Sequence, residues 1–460
     1  MNPQLLAGVA RRIINPPKGI FLIGYGDRTK GNIGIHDDLY ATALVLDNGA
    51  MRLAIVALDM LTINEFIVDR VRARLTPTEC LLCCSHTHSG PIAYAGEGSP
   101  RKNREYIDSL VENIVTAVQD AQANHIPVRL EYSLGEGSVG INRREEMSDG
   151  HFEIGRNPNG PRDKSVQVVS VLTTAGRRKG DKEGTRLATL VNYACHGTVL
   201  GPDNLLVSAD WIGVMRDKVE AELGGLTLFL QGAAANINPD MYWEDAQAFE
   251  KVTEQGLSVA DAVLVAADSG RCPEPARPGR AERAGVEGSE KMLDSPLRIE
   301  RAEAWMPTEA RVTTSRPPNN YARPLLALAK LPDFMALFAD PLLNQRYPWK
   351  SAIEAKNGFW SVPMRINAAR IGDLALVTFG AETFTEIGMK VKAGSPAEHT
   401  LFASICDGCI SYLHTKESHT QGGYEVDVAP LAYRYPGRLQ ARCEQIALET
   451  TSEMLERLMK

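Results

Sequence analysis

The stretch Cys80-Leu81-Leu82-Cys83-Cys84-Ser85-His86-Thr87-His88-Ser89-Gly90-Pro91 decides the fold class of this chain. Its first five residues form an apolar run typical of a buried strand, and two histidines follow where that strand ends. In α/β folds, ligands bind beyond the carboxyl ends of strands, and neutral imidazole is a ligand for zinc, copper, iron and nickel. The stretch therefore predicts an α/β protein in which His86 and His88 bind a metal or transfer protons. Taken alone, the motif is also compatible with a merely solvated pair.

Strand and helix patterns alternate along the rest of the chain. The runs 41–46 and 52–58 flank the turn Asp47-Asn48-Gly49 and predict a hairpin. Other predicted strands cover 127–133, 165–172, 186–193, 226–230, 374–379 and 401–405, and predicted helices cover 63–75, 103–123, 210–223, 243–267 and 439–459. The pattern predicts an α/β (α+β) fold with a mixed β-sheet core flanked by helices, in one large domain. A Pro- and Arg-rich segment near 268–290 is predicted to be flexible.

Composition and charge limit the kinds of molecule that this protein is expected to bind. The 460 residues carry a net charge of −7, and the basic residues are not clustered, so no nucleic-acid partner is predicted. No apolar run reaches the 18 residues of a membrane span, and the first residues lack the pattern of a secretory signal. We therefore expect a cytoplasmic protein without stable membrane insertion. Whether it forms a homo-oligomer stays open.

The eight cysteines include two Cys-x-x-Cys pairs, Cys80 with Cys83 and Cys406 with Cys409. Four thiolates at this spacing raise the alternative of a structural zinc site. Residues three apart on a strand face opposite sides of the sheet, however, so Cys80 and Cys83 do not suit such a site. Reduced, buried thiols are the preferred interpretation.

His196 is the histidine that best complements the His86–His88 pair. It follows the predicted strand 186–193, and Gly197 comes next, as at a turn. Asp210 stands at the predicted start of a helix, where an N-cap is its default role, and orientation of a ligand histidine is the alternative. His36, next to Asp37, is the second candidate.

Several motifs occur in the order in which they occur in neutral ceramidases. They are Ala7-Gly8-Val9, Pro16-Pro17, Gly24-Tyr25-Gly26, His86-Thr87-His88-Ser89-Gly90-Pro91, Gly140-Ile141-Asn142-Arg143, His196-Gly197-Thr198, Gly380-Ala381-Glu382 and the segment 412–424. The chain resembles the N-terminal catalytic domain of the neutral/alkaline non-lysosomal ceramidase family over residues 5–240 and 373–430. This resemblance implies one such catalytic domain over residues 1–460, with a less similar region at 241–372.

The resemblance also implies a ligand set and a group of catalytic residues. In the family, a zinc ion is held by the first histidine of the His-x-His motif, the histidine of His-Gly-Thr, a glutamate and a tyrosine. The implied ligands of one zinc per chain are His86, His196, Glu382 and Tyr412, and another divalent transition metal stays an alternative. The implied catalytic residues are His88, Arg143 and Tyr424.

One position departs from the family pattern. The serine of the family's Gly-Asp-Val-Ser-Pro-Asn motif, which is regarded as catalytic, corresponds to Asn238 in this chain. An amide side chain can donate a hydrogen bond to an oxyanion, but it cannot act as the nucleophile. We also expect neither a secretory signal nor the additional C-terminal domain of ceramidases, which argues against a membrane-lipid substrate.

These observations predict a zinc-dependent hydrolase that cleaves an amide C–N bond of a small soluble substrate with metal-activated water. His88 is the expected general base, with Asn238, Arg143 and Tyr424 around the reacting carbonyl. Two alternatives stay open: an ester or lactone hydrolase that uses the same metal site, and a ceramidase-like protein without hydrolytic activity.

Overall fold

The computed structural model describes residues 4–26, 28–91, 93, 100–174, 183–240, 249–269, 296–313, 353–433 and 435–460. Its strands are β1 (Leu6–Ile13), β2 (Gly34–Ile35), β3 (Tyr40–Asp47), β4 (Arg52–Leu58), β5 (Glu79–Cys84), β6 (Ile126–Glu136), β7 (Gly140–Glu146), β8 (Phe152–Asn157), β9 (Ser165–Thr173), β10 (Arg186–Tyr193), β11 (Leu206–Val207), β12 (Leu226–Gln231), β13 (Ile237–Pro239), β14 (Leu297–Arg311), β15 (Glu354–Lys356), β16 (Phe359–Ile371), β17 (Leu374–Phe379), β18 (Glu382–Thr383), β19 (His399–Ala403) and β20 (Tyr412–Leu413). Its helices are α1 (Glu65–Leu75), α2 (Arg101–Ala123), α3 (Trp211–Leu223), α4 (Phe249–Ser269), α5 (Thr385–Gly394), α6 (Lys416–Gln421), α7 (Ala429–Ala432) and α8 (Cys443–Met459), with a π-helical turn at Tyr424–Val428.

Two large sheets form the framework. The first has eight strands in the order β12-β10-β9-β6-β1-β3-β4-β5, and the second contains β14-β16-β17-β19 with β15 added on β16. Most neighbouring strands are antiparallel, but β4 with β5, β10 with β12, and β17 with β19 run parallel. Parallel neighbours end at the same edge of a sheet, so the segments that follow these strands emerge close together.

The two sheets share a central core. Successive residues of β4 alternate between this core and an outer one, because neighbouring strand residues face opposite sides of a sheet. Ile55 lies in the central core, whereas Ala54 and Val56 face α1 and α2. Helices α3 and α4 cover the outer face of the β9-β10-β12 half, and α5 and α8 cover the second sheet. The result is a mixed sheet core with helices on its outer faces.

The fold class predicted from the sequence is confirmed. The hairpin of β3 and β4 is present, and the other predicted strands and helices occur with shifts of a few residues at their ends. Residues 243–248 of the helix predicted at 243–267 lie outside the described residues. The strand predicted at 401–405 ends at Ala403, because Ile405 has a left-handed backbone with φ 57°. Of the segment predicted to be flexible, residues 268 and 269 end α4 and the rest lies outside the described residues.

The long strands β14 and β16 were not predicted, although they pair along most of their length. Both lie in the region 241–372, where the family resemblance is weak. Among the described helices, none is both long enough and apolar enough to cross a bilayer.

Cys80 and Cys83 face opposite sides of β5, as expected for residues three apart on a buried strand. Cys80 contributes to the core beneath α1 and α2, whereas Cys83 lies in the central core on the opposite face of β5. Cys83 also forms a main-chain bridge with Cys406. The seven cysteines that the structure describes are all free thiols.

The contact between β1 and α2 provides a test of the packing. A methyl group at Gly8 would lie 1.8 Å from the carbonyl oxygen of Ala121. The methyl is bonded directly to the backbone and the oxygen is a main-chain atom, so neither can move away cheaply. We expect Gly8→Ala to lower the free energy of unfolding by about 1–3 kcal/mol or more, the usual cost of overpacking.

Gly394→Ala is the matched control, because Gly394 is exposed at the end of α5 and nothing lies within 4 Å of its added methyl. This substitution should leave the free energy of unfolding unchanged or raise it by about 0.4–1 kcal/mol. Urea unfolding of both variants measures the difference, and equal midpoints would contradict this account of the packing.

Candidate metal centre

His86 lies just beyond β5, in a segment held by main-chain hydrogen bonds. Its N–H donates to the Met60 carbonyl at 2.8 Å, and its backbone is left-handed with φ 65°, which is rare for a residue with a side chain. The imidazole Nδ1 lies 2.9 Å from the Leu61 carbonyl oxygen. Because a carbonyl only accepts, Nδ1 carries the proton and Nε2 presents a lone pair.

His196 follows β10 and is oriented in the same manner. Its Nδ1 lies 2.7 Å from the Ala234 carbonyl oxygen, so its Nε2 also presents a lone pair. Burial, with Arg143 nearby, lowers the pKa of His196 to about 4, which keeps the ring neutral at physiological pH. The ring centroids of His86 and His196 are 4.7 Å apart. Two neutral imidazoles from different loops therefore converge.

Glu382 completes this convergence from the second sheet. Its strand β18 follows β17, and its Oε2 atom lies 3.3 Å from His86 Nε2 and 3.6 Å from His196 Nε2. Burial raises the pKa of Glu382, but positive charge at the two neighbouring rings, or on an ion between them, holds that pKa well below its usual range. The carboxylate is thus an anionic ligand at neutral pH.

Tyr412 stands beside Glu382, because the two residues are register partners on the parallel strands β18 and β20. Side chains of such partners lie on the same face. Burial and the Glu382 carboxylate raise the pKa of Tyr412 well above its ordinary value. Its phenol therefore stays protonated even beside Arg143, unless a metal ion binds its oxygen.

A divalent metal ion fits this donor set. Glu382 Oε2 is buried and has no hydrogen-bond partner among the described residues, and the two Nε2 atoms that face it are lone pairs. Three acceptors that converge without a proton on any of them are costly to bury, even though Arg143 Nη1 lies 3.3 Å from His196 Nε2. Imidazole and carboxylate are zinc ligands, and two such imidazoles with one carboxylate leave a position open in a four-coordinate site.

His88 belongs to the same cluster. Its Nε2 lies 3.4 Å from His86 Nε2, and potential ligand atoms of His86, His88 and His196 all lie within 4.8 Å of one another. Burial, followed by the two neighbouring imidazoles, lowers the pKa of His88 well below its usual value. Gly24 packs on this ring so closely that an added methyl would lie 2.5 Å from His88 Nδ1. The geometry accommodates His88 as a base beside the metal or as a further ligand.

The remaining candidates form one side of the cluster. Arg143 Nη1 lies 3.3 Å from His196 Nε2 and donates to Asn238 Oδ1 at 3.3 Å. The Arg143 guanidinium carbon lies 5.5 Å from the ring centroid of Tyr412 and 5.9 Å from that of Tyr424. All eight site residues suggested by the sequence therefore lie around one point, although their roles stay predictions.

Three buried side chains that support this arrangement had no signal in the sequence. Gln231 Nε2 donates to the carbonyls of Ser85 and Cys195, the residues that precede the two histidines. Arg28 donates to the carbonyls of His88, Gly201 and Pro202. Glu425 accepts from Arg143 and Arg144. Each joins segments that are far apart in the sequence, so single-sequence patterns do not reveal them.

Other polar candidates lie apart from this cluster. The Asp210 carboxylate accepts from the main-chain N–H groups of Val199, Leu200 and Trp211, so it caps α3 and does not touch a histidine ring. His36 stacks on Phe249 at 3.8 Å. His414 is buried.

The class of protein follows from the fold. The crystal structure of neutral ceramidase from Pseudomonas aeruginosa superposes on 100% of this chain and 75% of its own, with a TM-score of 0.69 and 20% identity. A structure described as ceramidase complexed with C2 covers 99% of this chain and 75% of its own, with a TM-score of 0.70 and 19% identity. The chain therefore has a neutral ceramidase fold.

Sequence comparison gives the family. The sequence model of the protein family described as neutral/alkaline non-lysosomal ceramidase, N-terminal, matches residues 6–235. The neutral ceramidase of Pseudomonas aeruginosa is 23% identical over 95% of this chain and 70% of its own length. The neutral ceramidase of Mycobacterium tuberculosis is 28% identical over 44% of this chain and only 34% of its own length. This protein belongs to the neutral/alkaline non-lysosomal ceramidase family.

Metal content tests the ligand set. His86→Ala and His196→Ala should each lose most of the zinc that survives dialysis, because a tight site needs at least three strong ligands. His151→Ala is the matched control, since His151 lies at the surface between Asp149 and Glu153. Zinc per chain is measured by mass spectrometry of the metal. One full equivalent in either ligand variant would show that the assignment is wrong.

Proposed function

We propose that this protein is a zinc-dependent hydrolase that cleaves an amide C–N bond of a small soluble substrate. The observation that carries the proposal is the convergence of two Nε2 lone pairs on the Glu382 carboxylate. His86, His196 and Glu382 would hold the ion, and with Tyr412 as a fourth ligand a further position would remain for water. When bound, zinc supplies a water whose pKa is lowered to about 7, which makes it a nucleophile at neutral pH.

The protein's own groups supply proton transfer and oxyanion stabilisation. His88 is neutral at physiological pH because burial lowers its pKa, so a ring nitrogen can accept a proton from the nucleophile and return it to the leaving amine. Asn238 Oδ1 accepts from Arg143, which leaves the amide N–H groups of Asn238 to donate to a substrate oxygen. Tyr424 and Arg143 offer further donors. Without a serine at position 238, the proposal includes no acyl-enzyme.

The base role of His88 has its own test. His88→Ala should keep its zinc and lose kcat by about 10²–10⁴-fold, the usual worth of a positioned acid–base group. Bound zinc and steady-state kinetics are measured on the same preparation. Loss of the metal together with the activity would instead make His88 a ligand.

A substrate panel tests the function itself. Water-soluble N-acyl amides, esters, a lactone and a short-chain ceramide in detergent micelles are offered to the zinc-loaded protein. We expect the soluble amides to be hydrolysed fastest, chelation to abolish turnover, and added zinc to restore it. Serine-directed acylating reagents should leave the activity intact.

Each alternative has a distinct outcome in this panel. Preferred turnover of the esters or the lactone would favour an ester or lactone hydrolase. Preferred turnover of ceramide would contradict the proposal that the substrate is a soluble amide. A trapped acyl-protein would exclude direct attack by water. No turnover of any compound by zinc-loaded protein would favour the non-hydrolytic alternative.

A further inference from the structure

Glu425 is a buried carboxylate that the proposed chemistry does not use. It is 2% exposed and lies in the π-helical turn, immediately after Tyr424. Its Oε1 accepts from Arg143 Nε at 2.9 Å, and its Oε2 accepts from Arg144 Nη1 at 2.8 Å. One carboxylate therefore pairs two consecutive arginines of β7, whose side chains would otherwise repel each other.

The two arginines have different surroundings. Arg144 is directed away from the cluster, because its Nη2 donates to the Gly422 carbonyl and to Gln421 Oε1. Arg143 is directed into the cluster, where its Nη1 reaches His196 Nε2 and Asn238 Oδ1. Arg143 Nη2 is buried and has no hydrogen-bond partner among the described residues. A buried N–H donor without a partner is costly, and this one lies beside the candidate metal ligands, where an oxygen of a bound molecule could accept from it.

The Glu425 contact determines where that donor points. A guanidinium is planar, so a hydrogen bond that its Nε–H donates to a fixed carboxylate limits rotation of the whole group. The rings of Tyr412 and Tyr424 limit its tilt. We infer that Glu425 is a positioning residue, which holds the Arg143 guanidinium so that Nη1 orients Asn238 and Nη2 donates to an oxygen of the substrate. This inference rests on the proposed function.

The kinetic test is a double-variant cycle on the soluble amide that the wild type cleaves fastest. Glu425→Gln keeps the shape but removes the charge, and its NH₂ cannot accept from one of the arginines. We expect kcat/KM to fall about 10–100-fold, as is typical for a partner that orients a functional group, with unchanged zinc per chain. In Arg143→Lys, adding Glu425→Gln should cause no further loss. If the losses in kcat/KM caused by the two substitutions multiplied in the double variant, the inference would be wrong.

Glu444→Gln is the matched control. Glu444 is also buried, and it accepts from Lys390 Nζ at 2.5 Å and from the Lys416 N–H at 2.7 Å, outside the cluster. It should lower the melting temperature without changing kcat/KM. An equal kinetic loss in Glu444→Gln would mean that the Glu425 effect is merely structural. If Glu425→Gln does not fold, Glu425→Asp enters the same cycle.

A measurement without substrate separates this inference from the proposed function. In protein labelled with ¹⁵N-arginine, the Arg143 Nε–H signal is identified by its loss in Arg143→Lys. It should exchange slowly with solvent in the wild type and faster in Glu425→Gln or Glu425→Asp. Fast exchange in the wild type would overturn the positioning role. If exchange is slow but the protein cleaves no amide or ester, the proposed hydrolase function is refuted, whereas the conclusion that Glu425 holds Arg143 stands.

Discussion

Main-chain pairing between the segments beyond the strand ends is the constraint on which the candidate site depends. These segments come from both sheets, and each is hydrogen-bonded to the next around the cluster. The pairs are Thr87 with Gly197, His196 N–H with the Ile237 carbonyl, Ala235 N–H with the Thr383 carbonyl, and Glu382 with Tyr412. Because the ligand side chains emerge from these connected segments, their mutual distances are fixed largely by the backbone rather than by flexible rotamers. Such rigidity is what a preorganised metal site requires.

The electrostatics of the cluster follow from this backbone. The Nδ1 protons of both histidines are committed to main-chain carbonyls, which fixes the tautomers and leaves the Nε2 atoms as acceptors facing Glu382. Such a fixed second ring nitrogen is the usual environment of a metal-ligating histidine. Burial then lowers the pKa of His196 and of His88, so protons on these two rings do not offset the Glu382 charge at neutral pH. A bound metal cation would balance that charge more directly than Arg143, which is paired with Glu425.

The sequence predicted the elements that are regular and local. The apolar run of β5, the Asn-Gly turn after β3 and the cap residue Asp210 of α3 each have a signature within a few residues. Strands β14 and β16 were missed because they lie where the resemblance is weak and their burial alternates irregularly. Glu382 and Tyr412 were suggested by family resemblance alone, since a buried glutamate next to a strand looks like any other until its partners are placed.

Asn238 and Arg143 together suggest how a family member without the serine could retain hydrolysis. In the alignment suggested by the sequence motifs, the amide of Asn238 occupies the serine position, and its oxygen is already bound by Arg143. An amide fixed in this way presents N–H donors, which suit a substrate oxygen, whereas a serine would present a nucleophile. Loss of the hydroxyl therefore removes one nucleophile without removing the oxyanion environment. Under the proposed function, water is the nucleophile, and the identity of the amide substrate is the property in which we expect this chain to differ from its relatives.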